Sequence, residues 1–156
     1  RGFDLMARKG FSGAIIPDLP MEEDDEVREA ARRHGLHLIP LVAPTSKERV
    51  RRIVSRASGF VYCVSSLGVT GERQQFHDRV DEFLDTVRSA TDLPIAVGFG
   101  ISNNEQFRSF AARCDGVIVG SAFVRRIEAL GDRLADPAAR PAALEELGRF
   151  AAELKG

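Results

Sequence analysis

The stretch LPIAVGFGISNNEQFRSFAARCDGVIVGSAFV (93–124) contains two short apolar runs, and each of them carries glycine near its carboxyl end. The runs, LPIAVGFG (93–100) and DGVIVGSA (115–122), are rich in β-branched residues, while the residues between them place apolar side chains at helical spacing. Strand, helix and strand in this order predict two parallel strands joined by a right-handed crossover. The stretch therefore predicts a βαβ unit, with glycine at the carboxyl end of both strands.

The same alternation continues towards the amino end of the chain. Three further apolar runs, each followed by a helical pattern, are GAIIP (13–17), LHLIPLVAP (36–44) and GFVYCVSS (59–66). The chain thus reads as five βα units behind a partial helix, and we expect an α/β fold with parallel strands and a single domain over 1–156. The third unit carries the additional loop LGVTGERQQFH (67–77), at the strand end where substrate-covering loops occur.

Two architectures accept this pattern, an open doubly wound sheet and part of a (β/α)8 TIM barrel. A dinucleotide-binding sheet places G-x-G-x-x-G after its first strand, and GFGISN (98–103) has Asn103 at the third glycine position. A complete barrel needs about 250 residues, so 156 residues with five βα units correspond to roughly five-eighths of one. We therefore interpret the chain as the carboxyl-terminal portion of a TIM barrel.

Two helix starts carry the spacing of a capping box. Thr45 with Glu48, and Ser102 with Glu105, place a hydroxyl and a carboxylate three residues apart directly after a predicted strand. We expect these pairs to cap the following helices.

Composition and charge exclude several classes of protein. Lys and Arg number 22 against 23 Asp and Glu, and the formal net charge of -1 argues against binding to nucleic acid or to an anionic membrane. No apolar run approaches the roughly 18 residues of a membrane span. Cys63 and Cys114 match neither a metal-ligand spacing nor a disulfide framework, so we expect no metal and a cytoplasmic location.

Glycines cluster at the carboxyl ends of the last three predicted strands. The clusters are Gly68 and Gly71, Gly98 and Gly100, and Gly120 followed by Ser121. Backbone N–H groups approach an anion closely where no Cβ intervenes, although each glycine taken singly is better explained by a simple turn. A short helix over 121–130 directly follows the last strand, and a regular helix over 141–155 comes after it. Barrels that bind phosphate use this combination of loops and short helix, which predicts a phosphate site.

Period-two alternation within the strands suggests what lies beside that phosphate. We expect Tyr62, Phe99, Val42 and Ile118 to face the mouth of the barrel and to form an apolar pocket for a flat group. Cys63 should face the outer helices as an inert core thiol.

Candidates for catalysis are few. Asp18, in IIPDLP, is placed either as a carboxylate at the active edge or as a helix cap, and the sequence leaves both readings open. His34, His37 and His77 share no motif, and no hydroxyl lies beside a base. The chain also lacks carboxylates at two strand ends, which acid-base chemistry would use. We therefore assign no catalytic residue within 1–156.

The motifs IIPDLP, LIPLVAPTS, GFVYCVSSLGVTGER, LPIAVGFGIS and DGVIVGSAFV, in this order, resemble the tryptophan synthase α subunit family over strands four to eight of its barrel. The resemblance implies cleavage of indole-3-glycerol phosphate to indole and glyceraldehyde 3-phosphate without cofactor or metal. It also implies a partner, the pyridoxal-phosphate-dependent β subunit that receives the indole, in an α2β2 complex.

The resemblance also implies roles for individual residues. Backbone at Gly71, Gly100, Gly120 and Ser121 is expected to hold the substrate phosphate. The residues expected to line the indole pocket are Phe99, Tyr62, Val42, Ile15 and Ile118. Thr70 is expected to help position a catalytic carboxylate when its loop closes, and Asp18 to take part in communication with the β subunit.

The catalytic Glu and Asp of the family lie on its second and third strand units, which precede the resemblance. We therefore expect this polypeptide by itself to be inactive as a lyase. Two alternatives remain at this stage: another phosphate-binding barrel enzyme, of histidine, tryptophan or thiamine biosynthesis, and a non-catalytic half-barrel that binds a partner or a phosphorylated ligand.

Overall fold

The computed structural model describes residues 2–17, 19–64 and 73–156, without the side chains of Met21 and residues 73–78. Helices and strands alternate through these ranges. The strands are β1 (Gly13–Ile15), β2 (His37–Ile39), β3 (Leu41–Val42), β4 (Val61–Val64), β5 (Ile95–Gly98) and β6 (Gly116–Val117). The α-helices are α1 (Gly2–Arg8), α2 (Asp24–Arg33), α3 (Lys47–Ser55), α4 (Arg73–Ala90), α5 (Asn104–Ala111), α6 (Ser121–Ala129), α7 (Gly131–Ala135) and α8 (Arg140–Lys155), and a 3-10 helix spans Met21–Glu23.

Every strand pair is parallel, and the strands follow one another in chain order. β1 pairs with β2, and β3 to β6 form a second sheet in the order β3-β4-β5-β6. A doubly wound sheet reverses its strand order at a switch point, whereas consecutive parallel strands form an arc of a (β/α)8 barrel. The predicted fold class, α/β with part of a TIM barrel, is confirmed.

The second predicted strand, 36–44, is divided at Pro40 into β2 and β3. Proline has no N–H to donate to a neighbouring strand, so the ladder is interrupted there. Its carbonyl still accepts a hydrogen bond from the backbone N–H of Tyr62 at 3.1 Å. Pro40 therefore ends one short strand while β3 remains attached to β4.

One side of the larger sheet packs against helices. Val61, Cys63, Ile95 and Val97 are at most 1% exposed and form one apolar core with side chains of α3, α4 and α5. Each buried aliphatic side chain of this kind contributes about 1.5–3 kcal/mol to folding. Burial also raises the pKa of the Cys63 thiol to about 12, which makes it unreactive near neutral pH, as predicted.

The opposite side of the sheet is only half-buried. It carries Tyr62, Val64, Ala96 and Gly98, which alternate with the fully buried residues of β4 and β5. We call this side the open face. In a closed barrel the corresponding side faces the packed interior, and its carboxyl end is where a substrate pocket is expected.

The amino end of β5 is fixed to the segment before β6 by Asp115. Its carboxylate accepts a hydrogen bond from the Ile95 backbone N–H at 2.8 Å and pairs with the Arg88 guanidinium at 2.8 Å. Both contacts favour the ionised form and lower the pKa of Asp115, the backbone bond most strongly. This contact sets the register of β5 and β6, whose other ends carry the glycine turns.

The predicted capping boxes are wrong by one residue. Ser46 caps α3, where its Oγ accepts from the Arg49 N–H at 3.2 Å, and Asn103 caps α5, where its Oδ1 accepts from the Gln106 N–H at 2.9 Å. Both helices begin one residue later than the boxes require. In α5 the Gln106 side chain accepts a hydrogen bond from the Ser102 N–H at 2.8 Å. A side chain in the first turn thus bonds back to the residue before the cap, as in a capping box, but between different residues from those predicted.

Within the described ranges, the helices are too short or too polar to cross a membrane.

Candidate functional site

Two glycine turns lie at the carboxyl edge of the sheet, because β5 and β6 are parallel and their carboxyl ends meet there. Gly100 follows β5 with a φ of +70°, a left-handed conformation that strains residues with a side chain. Beyond β6, the Ile118 N–H donates to the Val97 carbonyl at 2.8 Å and extends the pairing to the edge. The chain then reaches Gly120 and enters α6.

The first backbone N–H groups of α6 have no hydrogen-bond acceptor among the described residues. Its first helical hydrogen bond runs from the Val124 N–H to the Gly120 carbonyl at 3.1 Å, so the N–H groups of Ser121, Ala122 and Phe123 precede it. No described side chain caps this end, unlike those of α3 and α5. Gly120 and Ser121 are exposed, and a Cβ on Gly120 or Gly100 would meet nothing within 4 Å. This arrangement can accept an anion, since free N–H groups and the helix dipole both favour negative charge.

Tyr62 covers Gly98 on the open face. A Cβ on Gly98 would lie 3.0 Å from the Tyr62 Oη and 3.3 Å from its Cε1 and Cζ. Tyr62 is in register with Ala96, so its ring leans along the sheet towards the carboxyl edge. Glycine at position 98 is therefore what permits the ring to occupy this place.

Gly98→Val is expected to displace the Tyr62 ring and to destabilise the fold by about 1–3 kcal/mol, the usual cost of overpacking. The measurement is urea-induced unfolding followed by circular dichroism. Gly116→Val is the matched control, because Gly116 is on the adjacent strand, in register with Ala96, and a Cβ there meets nothing within 4 Å. Equal destabilisation by both substitutions would contradict the role assigned to the Tyr62 ring.

The predicted pocket residue Val42 lies on the other side of the sheet. It is completely buried, belongs to the core beneath the helices and is in register with Cys63. Leu41 is in register with Tyr62 and occupies the open face instead. Alternation correctly separates the two sides of β3, but it does not reveal which side faces inward; the register with β4 decides this, and sequence reasoning therefore missed Leu41.

Phe99 is also placed differently from the prediction. Its ring packs against Phe110 of α5, with centroids 5.1 Å apart, and contacts the buried core. Phe99 continues the alternation of Ile95 and Val97, which puts it on the helix-facing side of the strand end. The structure thus sets it behind the open face rather than beside Tyr62.

One other predicted pocket residue, Ile118, is on the open face. It follows β6 in the register position beside Gly98 and is half-buried. Together with Tyr62 and Leu41, it provides an apolar surface that leads to the glycine turns. Ile15 lies on the smaller sheet, where it is in register with Ile39 and 41% exposed.

Three predicted site residues, Asp18, Thr70 and Gly71, lie outside the described residues. Among those described, no group of three or more His, Cys, Asp or Glu side chains is suited to holding a metal ion. The ring Nδ1 of His34 is 2.7 Å from the Ala30 carbonyl at the end of α2, which is a helix-terminal role.

Comparison with known proteins identifies a family that matches nearly the whole chain. A family model described as the tryptophan synthase alpha chain matches residues 2–153. The tryptophan synthase alpha chain of Geobacillus kaustophilus (strain HTA426) is 50% identical over 152 residues, and that of Bacillus subtilis (strain 168) is 47% identical over 154 residues. These matches cover 97% and 99% of this chain but only 57% and 58% of the relatives. The chain thus spans a little over half of their length.

Solved structures give the same result. Tryptophan synthase subunit alpha from Campylobacter jejuni superposes with a TM-score of 0.73 and 36% identity, over 81% of this chain and 53% of that one. A structure described as the tryptophan synthase a2b2 complex from Pyrococcus furiosus gives a TM-score of 0.81 and 32% identity, over 98% of this chain and 59% of that one.

Proposed function

Because the chain belongs to the tryptophan synthase alpha chain family, we propose that it binds indole-3-glycerol phosphate at the carboxyl edge of its sheet. The substrate is then cleaved to indole and glyceraldehyde 3-phosphate in tryptophan biosynthesis. The observation that carries this proposal is the uncapped N-terminus of α6 beside the glycine turns, at one end of an apolar face.

The phosphate is held by backbone donors in this proposal. The N–H groups at Gly120 and Ser121 are proposed to bind it together with those around Gly100, and Gly71 is proposed to contribute from the preceding loop. Neutral amides in a helix dipole stabilise a dianion without an arginine or lysine at the site. The missing Cβ atoms at Gly100 and Gly120 leave the space that the phosphate oxygens need.

The indole ring occupies the open face. Tyr62, Leu41 and Ile118 offer it an apolar surface, and their half-buried state in the protein fits a surface that a ligand completes. Ile15, which is 41% exposed on the smaller sheet, is proposed to complete the pocket. Val42 and Phe99 pack in the core behind this surface, where they hold the strands and α5 in place. A flat aromatic ring gains free energy from this burial and from stacking on Tyr62.

Cleavage breaks the bond between indole C3 and the adjacent hydroxyl-bearing carbon of the glycerol chain. C3 gains a proton, and the hydroxyl loses one as its carbon becomes the aldehyde, so the reaction needs a general acid and a general base. By the family resemblance these are a Glu and an Asp in units that precede the matched residues. This chain contributes binding and orientation, and Thr70 is proposed to position one of those carboxylates.

The proposed partner is a tryptophan synthase β subunit, which would receive the indole. Support comes from the relative in Pyrococcus furiosus, whose structure is described as an a2b2 complex. Asp18 is proposed to take part in communication between the two subunits, and the complex is proposed to be cytoplasmic.

The binding proposal is tested by titrating the chain with glycerol 3-phosphate and with indole, followed by backbone amide NMR. Glycerol 3-phosphate should shift the amides of Gly100, Gly120 and Ser121, while glycerol, which lacks the charge, should not. Indole should shift the amide resonance of Tyr62. Because the chain contains no Trp, the fluorescence of indole also reports binding without a background from tryptophan in the protein. Phosphate binding without indole binding would favour a non-catalytic phosphate-binding module, and shifts confined to other helices would contradict the site.

A further inference from the structure

We propose that Phe150 of α8 is a positioning residue for the phosphate site, because it holds the first turn of α6 in the orientation that binds the anion. This inference rests on the proposed function and extends it to a helix outside the proposed substrate site. It follows from the way α6 is packed.

The first turn of α6 lies on α8. Ala122, the second residue of α6, is 6% exposed and forms a small apolar cluster with Phe150 and Leu154, which are 7% and 5% exposed. Phe123, the third residue of α6, packs on the edge of the Phe150 ring, with centroids 5.0 Å apart. Two of the three residues whose N–H groups precede the first helical hydrogen bond, Ala122 and Phe123, thus rest on Phe150.

A third contact fixes the rotation of α6 about its own axis. The Arg126 guanidinium carbon lies 4.3 Å from the centre of the Phe150 ring, a cation–π contact one turn further along the helix. Two contacts at the start of a helix and one in the following turn prevent it from rolling. The direction of its first N–H groups is therefore set by one aromatic side chain.

Few other contacts hold α6. Ala122 is its only buried residue, and Val124 and Ile127 are 53% and 46% exposed among the described residues. An orientation that depends on a single small cluster is sensitive to the loss of its largest member. Phe150 is that member.

The same helix is tied to the other phosphate turn. The Asn104 side-chain amide donates to the Leu154 carbonyl at 3.0 Å, and Asn104 is the first residue of α5, which follows the Gly100 turn. α8 therefore contacts the elements behind both glycine turns, through Asn104 at one and Phe150 at the other. It fixes the distance between them.

The test compares binding of inorganic phosphate and of indole by Phe150→Ala with binding by the unsubstituted chain. Phosphate affinity is expected to fall at least tenfold, while indole affinity changes less than twofold. Val54→Ala is the matched control: Val54 is 1% exposed in the main core, so its truncation lowers stability but leaves phosphate affinity unchanged. Phe150→Leu, which keeps part of the side-chain volume, should give an intermediate phosphate affinity.

Arg126→Gln provides a milder variant should Phe150→Ala fail to fold. It removes the cation–π contact from an exposed position and should weaken phosphate binding about threefold, whereas Arg125→Gln, with the same change of charge, should not. The positioning role is overturned, while the phosphate site stands, if the unsubstituted chain binds phosphate and each variant has the phosphate affinity of its control. The two comparisons are Phe150→Ala with Val54→Ala and Arg126→Gln with Arg125→Gln. If the unsubstituted chain does not bind phosphate at all, the proposed function falls first and this inference with it.

Discussion

The 156-residue polypeptide is expected to release indole from indole-3-glycerol phosphate no faster than the uncatalysed reaction. A general acid and a general base each contribute about 10²–10⁴-fold to such a reaction. The described carboxyl edge offers backbone donors and an apolar face, and the family resemblance implies that the two catalytic carboxylates belong to units that precede the matched part. We therefore expect indole release at least about 10⁴-fold slower than by an intact relative, measured by indole formation at saturating substrate.

The control adds the amino-terminal units of a relative. The chain is fused behind the amino-terminal part of the tryptophan synthase alpha chain from Geobacillus kaustophilus, to which it is 50% identical. This fusion should be active, because the glycine turns and the open face would then lie opposite an acid and a base. Turnover by the 156-residue polypeptide within tenfold of the fusion would show that an acid and a base lie within 1–156 and would refute the division of roles.

Gly120→Asp is expected to abolish phosphate binding while leaving the fold intact. A Cβ at Gly120 meets no atom within 4 Å, and aspartate is a preferred N-cap, so α6 should be stabilised by a few tenths of a kcal/mol. The introduced carboxylate would accept hydrogen bonds from the N–H groups that the phosphate needs. It would also repel the phosphate by about 1–4 kcal/mol at close range. We expect affinity for glycerol 3-phosphate to fall at least about 100-fold, measured by calorimetric titration.

Gly120→Asn separates the two causes. Its side chain caps the helix in the same way but carries no charge, so phosphate affinity should fall less than with Gly120→Asp. Indole binding should be unchanged in both variants, because the indole surface lies on the strands. Unaltered phosphate affinity in Gly120→Asp would place the phosphate elsewhere.

Local details show where sequence reasoning stops. The capping residues are Ser46 and Asn103 instead of Thr45 and Ser102, because hydroxyl and amide side chains cap equally well and only the final turn geometry selects one. Pro40 divides the apolar run 36–44 into two strands. The sequence does not reveal this division, because a missing N–H interrupts the ladder only where a neighbouring strand would accept a hydrogen bond from it. Neither difference alters the fold, because the spacing of the apolar runs is unaffected.

The sides of the strands were harder to assign than the glycine turns. The glycine turns could be predicted because glycine performs there a task that other residues perform poorly, as the φ of +70° at Gly100 shows. Val42 and Phe99 are apolar residues at strand ends, and such residues serve equally well in a core and in a pocket. Their positions, one in register with Cys63 and the other against Phe110, follow from packing between distant parts of the chain.

The sequence by itself determined that five parallel βα units follow one another and that glycines lie at the carboxyl ends of the last strands, because both are local consequences of side-chain periodicity and backbone freedom. Only the tertiary structure decided which side of each strand faces the substrate and which helix directs the N-terminus of α6. Strand register and the packing of Phe150 join residues far apart in the chain, and no local pattern encodes those contacts.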